Sequence, residues 1–303
     1  MKKLLLLTGL LLGGAPFLSA ALNVVATLPD FASIAQSVGG DHVKAASLAR
    51  GPEDAHFVDA RPTLLRSLNR ADVLIEGGAD LEIGWLPTLV KNARNRNILP
   101  GGSGHVLASQ GVRLLGVPEG PVDRSQGDVH AAGNPHFWLD PLNGKILADH
   151  LAEVFSRLDP DHADEFKANA ATFGREVDMR MIGWLQQMKP YAGTKILTYH
   201  KSYEYFAARF GLIVVNQLEP KPGIEPTPGH VARLIPEAKE AGVRLVMVEP
   251  FRPRRMPEYV AEALKVPLVQ IPDKVGANKD VKDYFGLFDY NLSQITSALN
   301  KDP

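Results

Sequence analysis

The 303-residue sequence contains no cysteine. Disulfide bonds are therefore excluded, and so is a lipid anchor attached to a cysteine. A transition-metal site in this chain would have to use histidine and carboxylate ligands, because thiolates are absent. Stability must instead come from a large apolar core, which the roughly 280 residues left after removal of a signal segment can supply in one or two domains.

Long apolar runs are absent except at the N-terminus. Lys2 and Lys3 precede the apolar residues 4–12, and small residues follow at 19–21. This pattern predicts a cleavable secretory signal over residues 1–21, since an uncleaved membrane anchor would need roughly 20 apolar residues. An exported protein without a lipid anchor diffuses freely, so it stays near the cell only inside an enclosed compartment. We therefore predict that it is a soluble protein of a Gram-negative periplasm and not a lipoprotein.

The mature chain also lacks an excess of either charge. Loss of Lys2 and Lys3 reduces the 33 basic residues to 31, against 34 acidic residues, and gives a formal charge of −3. No basic run marks a patch for nucleic acid or for a membrane surface. We therefore expect no nucleic-acid partner.

Short apolar runs alternate with helical patterns through both halves of the sequence. In the first half we predict strands at 23–27, 43–48, 72–76 and 112–115, with helices at 30–38 and 62–69. In the second half we predict strands at 195–199, 213–217, 244–248 and 268–271, with helices at 202–210, 229–240 and 256–264. This alternation predicts an α/β fold of two lobes, each a small parallel sheet flanked by helices.

One long helical pattern separates the two halves. Apolar residues recur at steps of three or four between Pro160 and Lys189, and Asp159 followed by Pro160 is typical of a helix start. The pattern predicts one rigid helix of about 30 residues, near 45 Å long, that joins the lobes. The predicted division is a signal at 1–21, an N-terminal lobe at 22–158, a linking helix at 159–190 and a C-terminal lobe at 191–303.

Three of the nine histidines lie in distinctive contexts. His56 lies in a loop after the second predicted strand, His136 lies among prolines and large aromatics, and His200 directly follows a predicted strand. Ligands of an open parallel sheet bind beyond the carboxyl ends of its strands, where Asp273 also lies. Convergence of these four residues in one cleft is one interpretation, and ordinary surface or core histidines are the other.

The ordered motifs resemble those of the periplasmic metal-binding proteins that serve zinc and manganese ABC importers, the ZnuA/TroA-like (cluster A-I) solute-binding family. The resemblance covers essentially the whole mature chain, and its segments are 54–56, 134–140, His200 with Tyr205 and Phe206, 248–250, and Asp273 ahead of Tyr284 and Asn291. It implies two lobes with a long connecting helix and a metal bound by His56, His136, His200 and Asp273. It also implies a membrane permease as partner, with a periplasmic zinc chaperone as a further candidate. We expect a monomer.

The residue at position 200 bears on the choice of metal. Manganese-selective relatives usually carry a carboxylate where His200 stands, and three imidazoles with one carboxylate suit Zn²⁺ better than Mn²⁺. We therefore predict high-affinity zinc binding for delivery to an ABC importer, with manganese transport as the alternative. Glu249 and, as a weaker candidate, Asp140 could hold the second N–H of a ligating ring. A solvated strand end explains Glu249 equally well, and Asp140 is more often a helix cap, since Pro141 follows it.

The segment 117–133 departs from zinc-specific relatives, which often carry a long histidine-rich loop there. Asp128 and His130 are candidates for a weak capture site, and a plain disordered loop is the alternative. The competing class of function is a zinc hydrolase that uses three histidines and an activated water. No His-Glu-x-x-His run is present, and a fourth ligand at Asp273 would close the coordination position that catalysis needs. A surface adhesin is a third alternative, which the missing anchor disfavours.

Overall fold

The computed structural model describes residues 20–120, 127 and 130–301. The predicted signal therefore lies outside the described residues, apart from its last two positions. Among the helices of this described part, none combines the length and the hydropathy that a bilayer crossing demands.

The first sheet has four parallel strands in the spatial order β2-β1-β3-β4. Its strands are β1 (Leu22–Ala26), β2 (Val43–Ser47), β3 (Val73–Glu76) and β4 (His105–Leu107). The helices that follow β1, β2 and β3 are α1 (Pro29–Gly39), α2 (Pro62–Asn69) and α3 (Leu86–Ala93). Each of these helices has a proline in its first turn. A backbone N–H in the first turn has no acceptor within the helix, so proline removes no helical hydrogen bond there.

The second sheet repeats this arrangement with the parallel order β6-β5-β7-β8. Its strands are β5 (Lys195–Thr198), β6 (Ile213–Gln217), β7 (Leu245–Val248) and β8 (Leu268–Gln270). Between them lie α6 (Glu204–Phe210), α7 (Pro228–Ala241) and α8 (Arg255–Leu264). The predicted α/β fold with two parallel lobes is confirmed.

Three long helices pack beside the sheets in the described part of the chain: α4 (Pro141–Leu158), α5 (Ala163–Met188) and α9 (Tyr284–Asn300). The predicted linking helix is confirmed, but its α-helical part begins at Ala163, because Pro160–His162 forms a 3₁₀ turn. The buried residues of α5 belong to one hydrophobic core with those of the first lobe and part of the second. Trp184 of α5 packs on Phe288 of α9, with ring centroids 5.3 Å apart. The predicted domain boundaries stay a prediction.

The strand predicted at 112–115 is wrong. The fourth strand of the first sheet is His105–Leu107, which pairs with β3. The backbone of Leu115 has other partners: its N–H donates to the Tyr205 hydroxyl at 2.8 Å and its carbonyl accepts from Asn134 N. The bond to Tyr205 ties the segment to the second lobe, and neither bond is part of a sheet.

The two lobes touch directly beside the loops that follow their strands. A Cβ added to Gly51 would lie 2.0 Å from the carbonyl carbon of Gly276, so only glycine permits this approach of the two backbones. The Trp138 indole N–H donates to the Asp273 carbonyl at 2.7 Å, and the Tyr284 hydroxyl donates to the Trp138 carbonyl at 2.7 Å. The cleft between the lobes therefore has a closely packed floor.

Candidate metal centre

Three histidines from separate parts of the chain meet in the cleft between the lobes. His56 follows β2, His136 immediately precedes a 3₁₀ turn at Phe137–Leu139, and His200 follows β5. All three are buried, and one ring nitrogen of each lies within 4.8 Å of those of the other two. The strand-end positions inferred from the sequence do bring these rings together.

Each of the three rings is held through its Nδ1. The acceptors are Asp54 Oδ1 for His56 at 2.9 Å, Asn134 Oδ1 for His136 at 2.9 Å, and Glu219 Oε2 for His200 at 2.6 Å. Such a bond fixes the tautomer and leaves a lone pair on Nε2. The three Nε2 atoms are therefore the nitrogens available to a cation.

Two of these acceptors lie two residues before the histidine that they hold. Asp54 Oδ1 also accepts from the backbone N–H of His56 at 3.0 Å, and Asn134 Oδ1 accepts from that of His136 at 2.9 Å. These are local side-chain turns that Asp and Asn readily form. The spacing was visible in the sequence, whereas Glu219 lies 19 residues beyond its histidine and gave no local signal.

Arg252 joins the acceptors of the two lobes. Its guanidinium lies 3.2 Å from Asp54 Oδ2 and 3.4 Å from Glu219 Oε1. Burial alone would lower the pKa of Arg252, but the charges of Asp54, Glu249 and Glu219 raise it. A permanent cation therefore ties together the carboxylates that orient His56 and His200, and no motif in the sequence indicated this role.

Burial favours the neutral form of one of the three rings, His136. Burial lowers the pKa of His136 well below its usual value, and the charges of His56, His200, His130 and Lys274 lower it further. Burial by itself would raise the pKa of Asp54, yet the hydrogen bond from His56 and the charges of His56 and Arg252 hold that pKa below its usual value. Neutral imidazole is the form in which a histidine ring binds a metal.

The fourth predicted ligand, Asp273, lies outside the group whose ligand atoms fall within 4.8 Å of one another. Both of its carboxylate oxygens accept from Lys274 Nζ, at 2.9 and 2.7 Å. Lys274 is completely buried and lies over the Phe251 ring at 4.5 Å. The Asp273 backbone carbonyl accepts from Trp138, whose ring lies 5.2 Å from that of His136, but the Asp273 carboxylate is already paired with Lys274.

The two carboxylates predicted to hold a ligating ring have other partners. Glu249 accepts from the Ser202 hydroxyl at 2.5 Å, and burial raises its pKa. Asp140 caps α4 by accepting from Leu142 N at 3.0 Å and pairs with Arg209 at 2.7 Å. Asp140 is thus a helix cap.

The predicted capture residues divide between described and undescribed parts of the chain. Asp128 lies outside the described residues. His130 lies at the mouth of the site, with its ring centroid 5.3 Å from that of His56. Together with His136 and His200 it lines a cleft of about 390 Å³ that opens on this side of the site.

Comparison with known proteins identifies the family of the chain. Residues 24–298 match the model of the family ZnuA, described as zinc-uptake complex component A, periplasmic. The chain is 25% identical over 291 residues to the metal ABC transporter substrate-binding lipoprotein ScbA of Streptococcus cristatus. The matched region covers 93% of this chain and 90% of ScbA. It is 25% identical over 288 residues to the manganese ABC transporter substrate-binding lipoprotein PsaA of Streptococcus pneumoniae, over 92% and 90% of the two chains.

A zinc-named relative and a solved structure also match. The high-affinity zinc uptake system protein ZnuA of Brucella abortus is 30% identical over 159 residues, 52% of this chain and 47% of that protein. The crystal structure of ZnuA superposes with a TM-score of 0.76 at 24% identity, over 92% of this chain and 99% of the other. The chain therefore belongs to the ZnuA family of metal ABC transporter substrate-binding proteins, which are transport proteins and not enzymes.

Proposed function

We propose that this protein binds one Zn²⁺ in the periplasm through His56, His136 and His200 and delivers it to the membrane permease of an ABC importer. The observation that carries the proposal is the set of three buried rings, each fixed through Nδ1 and each with one ring nitrogen within 4.8 Å of those of the other two. Zinc bonds to histidine nitrogen at about 2.0–2.1 Å. Ring nitrogens already within 4.8 Å of one another need only a small closing motion to reach that distance from one ion.

The donor atoms favour zinc over manganese. Three imidazoles form a borderline-soft set that suits Zn²⁺, whereas Mn²⁺ prefers sites rich in carboxylate and water oxygen. The family description names zinc uptake, while PsaA, which matches over more of the chain than the zinc-named relative, is named for manganese. Manganese is therefore the alternative cargo, and the three neutral nitrogens argue against it.

The fourth ligand of the metal that we predict from the sequence is Asp273 or a water molecule. For Asp273 to bind the ion, its carboxylate must leave Lys274 Nζ. We further propose that the mature protein is a monomer. We also propose that it carries no lipid anchor, because it has no cysteine to which a lipid could be attached. A periplasmic zinc chaperone is a candidate source of the ion.

Zinc titration in competition with a chromophoric chelator tests the proposal. The parent protein should bind one equivalent, and His56→Ala, His136→Ala and His200→Ala should each weaken binding by at least about tenfold, since even residues that only orient a ligand are worth about 10–100-fold. His150→Ala is the matched control, because His150 lies on α4 outside the three-histidine group, and it should bind zinc like the parent. Equal affinity in all four variants would contradict the assignment.

A further inference from the structure

A second group of metal-ligand atoms lies away from the cleft between the lobes. His42 ends the 3₁₀ turn that precedes β2, and His162 ends the 3₁₀ turn that follows α4. One ligand atom each of His42, Asp159 and His162 lies within 4.8 Å of those of the other two. The N-terminal end of α4 lies beside the His136 segment, and the 18 residues of this helix place its C-terminal end about 27 Å away. The group is therefore distinct from the three-histidine site.

The two imidazole rings of this group are stacked on each other. Their centroids lie 3.6 Å apart, with 20° between the ring planes. Phe166 of α5 is fully buried and contacts both rings by its edge, at 6.1 Å from His42 and 6.4 Å from His162. The side chains of the two histidines are 26% and 27% exposed. One part of the pair is therefore packed on the interior, and the other part can be reached by a cation from solvent.

Each ring of the pair has a carboxylate partner. His162 Nδ1 lies 2.8 Å from Asp159 Oδ2, and His42 Nε2 lies 3.1 Å from Glu165 Oε2. Two ligands that bind one zinc tetrahedrally, at about 2.0–2.1 Å each, lie roughly 3.3 Å from one another. The spacing of the His162–Asp159 pair is therefore close to that of two adjacent zinc ligands, and a cation can take the place of the proton in this hydrogen bond.

The charges around the pair favour a divalent cation. Among the ion pairs of the described residues, Asp159 and Glu165 each have a histidine as their partner and no lysine or arginine. The side chain of Asp159 is only 8% exposed, and a buried carboxylate is normally paired with a cation or bound to a metal. A bound metal ion would supply the permanent countercharge that neutral imidazole does not. Two imidazoles with a carboxylate suit Zn²⁺ better than Mg²⁺ or Ca²⁺, which prefer sets of oxygen ligands.

We propose that His42, Asp159 and His162 form a second Zn²⁺ site, in which water completes the ligand set and Glu165 orients the His42 ring. The bound ion cross-links the turn before β2 to the junction of α4 and α5. Because the stacked rings are nearly parallel, at least one must rotate to direct a nitrogen at the shared ion, and their partial exposure leaves room for this.

The second site binds zinc more weakly than the three-histidine site, because it has two imidazoles instead of three and is more exposed. At zinc concentrations too low to fill it, the expected content is still one zinc per chain. The inference does not depend on the proposed transport function, since none of its residues belongs to the three-histidine group.

Calorimetric titration of the full-length mature protein with Zn²⁺, in the absence of a competing chelator, tests the second site. The parent should bind a second equivalent more weakly than the first. His42→Ala and His162→Ala should each weaken this second equivalent by at least about tenfold and leave the first unchanged, because a ligand is worth no less than a group that orients one. His150→Ala is the matched control, since His150 lies on α4 outside the group, and it should retain both equivalents.

A protein in which His56, His136 and His200 are all replaced by alanine isolates the second site. It should bind one weak equivalent of Zn²⁺ and unfold at a higher temperature with zinc than without it, because a ligand that binds only the folded state stabilises that state. Adding His42→Ala should abolish both the binding and the stabilisation.

Glu165→Gln provides a variant at a half-exposed position, where folding is not at risk. It should weaken the second equivalent by about tenfold, because it weakens the bond that orients His42. Absence of a second equivalent from the parent, or a second equivalent that survives both His42→Ala and His162→Ala, would overturn the inference and leave the three-histidine function intact. A first equivalent that survives loss of His56, His136 and His200 would instead overturn that function.

Discussion

Replacing Glu219 by glutamine should weaken zinc binding by about tenfold, and replacing it by alanine should weaken binding toward 100-fold. Glu219 accepts from His200 Nδ1 at 2.6 Å, and both side chains are almost fully buried. Glutamine keeps an acceptor oxygen but loses the charge that makes such a bond about twice as strong as a neutral one. Alanine leaves the buried N–H of His200 without a partner. The two losses correspond to about 1.4 and about 2.7 kcal/mol.

The assay is zinc competition with a chelator of known affinity at neutral pH, combined with thermal unfolding of the metal-free variants. Glu258→Gln is the control, because Glu258 is an exposed carboxylate of α8, in the same lobe, and it should bind zinc like the parent. If Glu219→Gln and Glu219→Ala are folded and both bind zinc with parental affinity, then the His200–Glu219 bond does not prepare the ligand, and the physical account of the site is wrong.

Two further predictions concern the stability of the metal-free protein. Tyr284→Phe should cost about 1–3 kcal/mol of unfolding free energy, because the buried Trp138 carbonyl loses its hydroxyl donor. The control is Tyr259→Phe at an exposed position, which should cost close to nothing in the same denaturant series. Equal costs would contradict the role given to Tyr284. Burial is the main cause that raises the pKa of Glu82 to about 7, with the Glu76 charge adding to it, so its stabilising contribution is complete below about pH 4.5 and is lost as pH rises through 7. Glu82→Gln should therefore cost less stability at pH 8 than at pH 5 in chelator-treated protein, and a cost independent of pH would show that Glu82 does not titrate in this range.

The fold was largely predictable because both sheets obey simple patterning. All four strands of the second sheet and three of the first fall within one or two residues of their predicted bounds. The error at 112–115 arose because the backbone of Leu115 pairs with the Tyr205 hydroxyl of the other lobe and with the Asn134 N–H, instead of with a strand. A tertiary contact of this kind leaves no periodic mark in the sequence.

The site was predictable only as far as local rules reach. The carboxyl ends of parallel strands placed His56 and His200, and the motif around His136 supplied the third ring. The acceptors Asp54 and Asn134 could have been found from their two-residue spacing to a histidine. Glu219 and Arg252 could not, because Glu219 reaches His200 from the end of a neighbouring strand and Arg252 reaches Asp54 across the two lobes. The burial of Lys274 likewise depends on tertiary packing.

The measurement that tests the central claim most directly is a competition for one site. Mature protein purified without chelator is dialysed against equimolar Zn²⁺ and Mn²⁺, and the bound metal is then quantified by mass spectrometry. Three fixed imidazole nitrogens predict one zinc per chain and almost no manganese, together with loss of that zinc in a protein lacking His56, His136 and His200. Retention of manganese in place of zinc by the parent protein would contradict the assignment.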